Sequence, residues 1–133
     1  IFAVVVSINS YAKDLLLKGA EKDVLAFKDF LLHDLQTPAD HIKLLRDYMA
    51  MRQCIMDTLH MHFCNNSDIC PGDAIIFYFM GHGSSHDLRG KGAVKCIISI
   101  DNAPICEHEL HIFLKDLSHM KGKNITLIFD CCF

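Results

Sequence analysis

The chain carries no surplus of positive charge. Lys and Arg number 13 against 16 Asp and Glu in 133 residues, for a net charge of −3 with histidine neutral. A nucleic-acid partner would call for a basic face, so none is expected. Long apolar runs are also lacking. The opening stretch, Ile1 to Ile8, falls far short of the roughly 20 residues that cross a bilayer, follows no basic region and precedes no small-residue cleavage site. No membrane partner is expected. Between His60 and Cys70, metal-ligand spacing is missing as well. His60, His62, Cys64 and Cys70 lie close in sequence, but no CxxC or HxxxH spacing accompanies them, and helix residues two apart face different ways. We expect no metal and no cofactor here. There is no internal repeat, low-complexity tract or linker. The chain does not begin with Met and stops one residue after Cys132, so it reads as part of a longer chain.

Cysteine, by contrast, is plentiful. Seven is an odd number, and the spacings form no disulfide framework. Reduced thiols in a cytoplasmic protein are therefore expected. The length suits one domain spanning residues 1–133, and 51% hydrophobic residues allow a sizeable core.

The apolar pattern sets the order of elements. Ile1 to Ile8 is a buried strand around Val4, Val5 and Val6. Asn9 to Lys18 is a polar loop around Tyr11. After Gly19, the residues Ala20, Val24, Phe27, Leu31 and Leu35 draw one helical stripe, which Thr37-Pro38 ends. His41 to Leu45 reads as a short strand. Ala50 to about Cys64 reads as a second helix, with Ile55, Leu59, His62 and Phe63 near one face and no obvious N-terminal cap. Pro71-Gly72-Asp73 turns into Ala74 to Met80, an unbroken apolar run of the kind buried on both faces. Ser84 to Ala93 reads as loop, and Cys96 to Ile100 as a small strand outside the main sheet. Glu107 to about His119 is a third helix with Leu110, Phe113, Leu114 and Leu117 buried. Lys121-Gly122-Lys123 leads to a last strand, Asn124 to Phe129. Strands alternating with helices argue an α/β fold, with a parallel sheet covered on both faces.

Two of these strands end in reactive residues. Ala74 to Met80 runs into Gly81-His82-Gly83, and Asn124 to Phe129 runs into Asp130-Cys131-Cys132. Open α/β sheets place their chemistry at the carboxyl ends of strands, and neighbouring parallel strands lie about 4.8 Å apart. A thiol is a poor nucleophile until it ionises, and a nearby imidazolium promotes that. His82 and Cys132 can form such a pair. The N–H groups of Gly83 and Cys132 can bind the developing oxyanion, and the glycines leave the histidine unscreened. Against this, a Gly-His-Gly can be an ordinary turn, and Cys131 and Cys132 can be core thiols. The conjunction of the two strand ends favours the site. His108, His111 and His119 read as solvated.

These stretches resemble a known family. FAVVVSINSY, LKGAEKDV, CPGDAIIFYFMGHGS, ICEHELHIFL and GKNITLIFDCC are similar, in family order, to the caspase-like cysteine peptidases of clan CD, and in particular to metacaspase-like domains of fungi. The resemblance implies a caspase–haemoglobinase fold: three α/β/α layers around a mainly parallel sheet, incomplete at the C-terminal side. It implies endopeptidase action on a protein or peptide substrate, with His82 and Cys132 as the catalytic pair. It places Asp23 and Asp130 in a pocket for a basic P1 side chain. Caspases that cut after Asp carry an arginine just before the first helix, where this chain reads Leu16-Leu17-Lys18-Gly19. Arg or Lys preference follows. The resemblance also implies a missing C-terminal small-subunit segment, with any calcium dependence residing largely there. Phe133 departs from the family, which usually has His-Ser-Gly after the nucleophile. Asp23 can also be read as a solvated helix carboxylate. The alternative function is an inactive caspase-like scaffold or regulatory binding module.

Overall fold

A run of three valines can lie flat in a sheet only if both faces are covered, and β1 (Phe2–Ser7) is buried at all six positions. The computed structural model describes residues 1–11, 17, 19–87 and 92–133. Within these, β1 is followed by α1 (Ala20–Asp29), β2 (Ile42–Arg46), α2 (Arg52–Leu59), β3 (Ile75–Met80), β4 (Gly83–Asp87), β5 (Ala93–Ile98), β6 (Pro104–Cys106), α3 (Glu107–Lys121) and β7 (Ile125–Asp130). The main sheet has the order β2-β1-β3-β7, and every pairing in it is parallel.

Alternation along the strands divides the core in two. Phe2, Val4 and Val6 with Ile75, Phe77 and Phe79 meet Ile55, Leu59 and Phe63 of the α2 segment and Leu110, Phe113 and Leu117 of α3. Ala3, Val5, Tyr78 and Met80 meet Val24 and Leu31 of the α1 segment. The result is the three-layer α/β/α arrangement of a caspase-like fold. β7 lies at the edge of the sheet, and none of its residues is fully buried.

The predicted helical stripes hold with local differences. Both α1 and α2 continue through a π-helical turn, Phe30–Asp34 and His60–Cys64. Val24 and Leu31 are fully buried, whereas Leu35, at the end of the stripe, is exposed. The cap missing from α2 comes from far along the chain. Asp101 Oδ1 accepts the Arg52 N–H at 3.0 Å, and the Ser99 hydroxyl holds that carboxylate. Arg52 in turn reaches the Pro104 carbonyl and Glu109.

Two expectations need correction. Ser84 to Ala93 is not a continuous loop, because β4 and β5 pair antiparallel across Gly83↔Ile97 to Asp87↔Ala93; residues 88–91 lie outside the described residues. The sequence GSSHD has no apolar alternation, so its pairing comes from backbone bonds that leave no mark in the sequence. Nor are all cysteines reduced: Cys96 and Cys106 form a disulfide. They face each other in the β5–β6 register, an adjacency set by a three-residue strand too short to signal itself. Cys54, Cys64, Cys70, Cys131 and Cys132 are free thiols.

Candidate active site

The β3 and β7 strands end side by side. Their register pairs Met80 with Asp130, and Gly81 N–H donates to the Asp130 carbonyl beyond that pair. His82 and Cys132 therefore each stand two residues past the last rung, on adjoining strands. Both line one cleft of about 390 Å³ together with Leu17, Asp23, Met80, Gly81, Asp130 and Cys131. That volume lies within the roughly 300–1,000 Å³ usual for small-ligand pockets. Among the described residues, the lining holds two carboxylates, Asp23 and Asp130, and no lysine or arginine. Asp23 comes from the first turn of α1 and Asp130 from the end of β7. The Tyr78 phenol lies between their influences: burial raises its pKa first, and the charges of Asp130 and Asp23 raise it further.

The two adjacent thiols differ. Cys131 packs against the core on the α2/α3 face of the sheet. Burial, then the Asp130 charge and Cys132, push its thiol up to about 11. A thiol held protonated is inert at neutral pH. Cys132 is exposed and lines the cleft.

The glycines around His82 serve a purpose the sequence reading did not give them. Neither has a left-handed φ. A Cβ on Gly81 would lie 2.5 Å from Tyr11 Oη and 2.8 Å from Phe79 Cζ, and one on Gly83 would fall on the Cys132 carbonyl oxygen. These glycines let the strand ends and Tyr11 close on one another.

Sequence reasoning missed Tyr11, treating it as a loop residue. Tyr11 is buried. Its hydroxyl accepts the His82 N–H at 2.8 Å and donates to the Ile98 carbonyl at 2.8 Å. Its ring lies against the His82 ring, with centroids 4.4 Å apart. The two residues before it are held by Asp47, whose Oδ1 accepts the Asn9 and Ser10 N–H groups. Leu16 and Lys18, at the position where Asp-cutting caspases carry an arginine, lie outside the described residues. The described His108, His111 and His119 are exposed. Among the described residues, no group of three or more His, Cys, Asp or Glu could hold a metal ion, and no helix is long and apolar enough to cross a membrane.

Comparison with known proteins bears on the family and the fold. Residues 2–133 match the metacaspase, peptidase C14 domain family. The chain is 28% identical to Metacaspase-1 of Pyricularia oryzae over 141 residues, covering 98% of this chain and 35% of that protein. A protein of Geobacter sulfurreducens of known crystal structure superposes with a TM-score of 0.72 over 98% of this chain and 49% of its own; at 15% identity this likeness concerns the fold alone. The chain thus spans about a third of its fungal relative. With the family match running through both strand ends that line the cleft, the chain belongs to the metacaspase family of cysteine peptidases.

Proposed function

We propose that this chain carries the catalytic pair of a cysteine endopeptidase that cuts after Arg or Lys. His82 takes the proton of Cys132, and the thiolate attacks the scissile carbonyl. The backbone N–H groups of Gly83 and Cys132 hold the oxyanion. The imidazolium then protonates the leaving amine, and water, deprotonated by His82, hydrolyses the thioester. Asp23 and Asp130 receive the basic P1 side chain, since a desolvated guanidinium or ammonium needs a carboxylate partner. The observation that carries the reading is the single cleft holding one histidine, one exposed thiol and two carboxylates.

An uncapped second helix would favour the scaffold reading, but Asp101 caps α2. What favours the scaffold reading is the half-buried edge strand β7 beside an apolar recess lined by Ile97, Ile105, Leu110, Phe129 and Phe133. On the peptidase reading, that edge is where a C-terminal small-subunit segment pairs.

Fluorogenic peptides with Arg, Lys or Asp at P1, offered to the full-length protein, test the assignment. Arg and Lys peptides should be cleaved and the Asp peptide left intact. Asp23→Asn and Asp130→Asn should each lower kcat/KM for the Arg peptide about tenfold or more, the loss expected when a charge-assisted bond becomes neutral. Equal turnover of the Asp peptide would reject the pocket, and no turnover of any peptide would favour the scaffold.

A further inference from the structure

Tyr11 occupies an unusual place in the backbone ladder. The register that sets Gly83 opposite Ile97 sets His82 opposite Ile98 one step earlier. Facing residues in a hydrogen-bonded antiparallel pair exchange two bonds, N–H to C=O in each direction. One of these is present, from Ile98 N–H to the His82 carbonyl at 2.9 Å. In the other direction the Tyr11 hydroxyl stands between the partners. His82 N–H donates to Tyr11 Oη at 2.8 Å, and Oη donates to the Ile98 carbonyl at 2.8 Å. A phenol is thus wedged into half a rung, and the His82 amide stands off β5 by the width of an oxygen atom.

The wedge is held on every side. Tyr11 is only 4% exposed. The absent Cβ of Gly81 leaves the space its hydroxyl needs. Asp47 fixes the two residues before it. Burial pushes the phenol up to about 12, so the hydroxyl keeps the proton it donates to Ile98 throughout the physiological range.

We propose that Tyr11 is a positioning residue: its hydroxyl, interposed between the His82 amide and the Ile98 carbonyl, sets where the His82 imidazole stands across the cleft from Cys132. Its consequence for chemistry rests on the peptidase reading; its effect on His82 does not. Tyr11→Phe keeps the ring and removes the wedge. The His82 N–H can then bond Ile98 directly, at the usual N···O separation of about 2.9 Å, which draws the backbone toward β5.

The test uses NMR on histidine-labelled full-length protein, with peptide kinetics alongside. Because the position-11 ring survives in Tyr11→Phe, its ring current reports whether the imidazole has moved. The His82 ring-proton resonances should shift by more than a linewidth. With the Arg peptide, kcat should fall roughly 10- to 100-fold while KM stays within about twofold, as expected for a misplaced reacting group. Loss of packing alone would lower the amount of folded enzyme, not kcat per folded molecule. His82 resonances that stay in place overturn the proposal. So does a moved imidazole with unchanged kcat in a protein whose activity His82→Ala abolishes. If His82→Ala leaves peptide turnover intact, the peptidase reading fails instead, and the resonances alone decide what Tyr11 does.

Discussion

At the scale of single residues, the site depends on close approach as much as on reactive groups. Gly81 and Gly83 are needed because neighbouring atoms already fill the volume of a side chain there. Replacing Gly81 by Ala would force a methyl against Tyr11 Oη and Phe79, both buried and unable to swing aside. Overpacking of this kind costs about 1–3 kcal/mol. Urea unfolding of Gly81→Ala should show a loss in that range, whereas Gly72→Ala, with nothing within 4 Å, should lose only what its left-handed φ demands. A Gly81→Ala protein as stable as the parent would mean that Tyr11 does not sit where it is described. The chemical difference between Cys131 and Cys132 has the same origin. Adjacent residues at a strand end point to opposite faces, so the Cys131 thiol packs against the core while Cys132 lies exposed at the cleft.

At the scale of elements, the strands and helices with a buried apolar stripe were legible because burial imposes a period on the sequence. β1, β3 and β7 could be read from their continuous apolar runs, and α3 from Leu110, Phe113 and Leu117. What escaped was whatever depends on a distant partner. β4 is polar and owes its existence to β5. β6 is three residues long, and the disulfide depends on its register. The α2 cap arrives from Asp101, 49 positions away. For the candidate site, the strand ends were readable because chemistry at a parallel sheet falls at carboxyl termini. Tyr11 was not, since nothing local distinguishes a loop tyrosine from one whose hydroxyl bridges the His82 amide and the Ile98 carbonyl. The remote cap is open to test. Asp101→Ala should destabilise the protein by about 1 kcal/mol, the usual worth of an N-cap, and Asp101→Asn, which keeps an acceptor, should restore most of it. If both variants match the parent in chemical denaturation, the α2 terminus is satisfied in some other way.

For the molecule as a whole, the two ends of the sheet have separate tasks. The carboxyl ends carry the cleft, and the amino ends carry a histidine cluster that bears on stability. The His62 ring Nε2–H donates to the His41 carbonyl at 2.8 Å, and the His41 ring stacks on Phe2 with centroids 3.9 Å apart. Burial holds the His62 pKa below its usual 6.5; nearby Lys43 and His41 lower it further, while the His41 carbonyl and Asp40 act the other way. The unfolded chain thus binds a proton near pH 6.5 that the folded protein resists. The stability tied to neutral His62 is full above about pH 6.5 and is lost as pH falls through its folded-state value. Urea midpoints measured at pH 7.5 and 5.5 should fall on acidification, and His62→Gln should flatten that dependence. An unchanged slope in His62→Gln would assign the acid sensitivity to other groups.

The central claim is that His82 and Cys132 act together across one cleft. The most direct measurement is mass-spectrometric mapping of the residue alkylated by an Arg-directed chloromethyl ketone in the full-length protein. The label should fall on Cys132, persist in Cys131→Ala, vanish in Cys132→Ala and form far more slowly in His82→Ala. Labelling of Cys131, or labelling of Cys132 at the same rate without His82, would contradict the account.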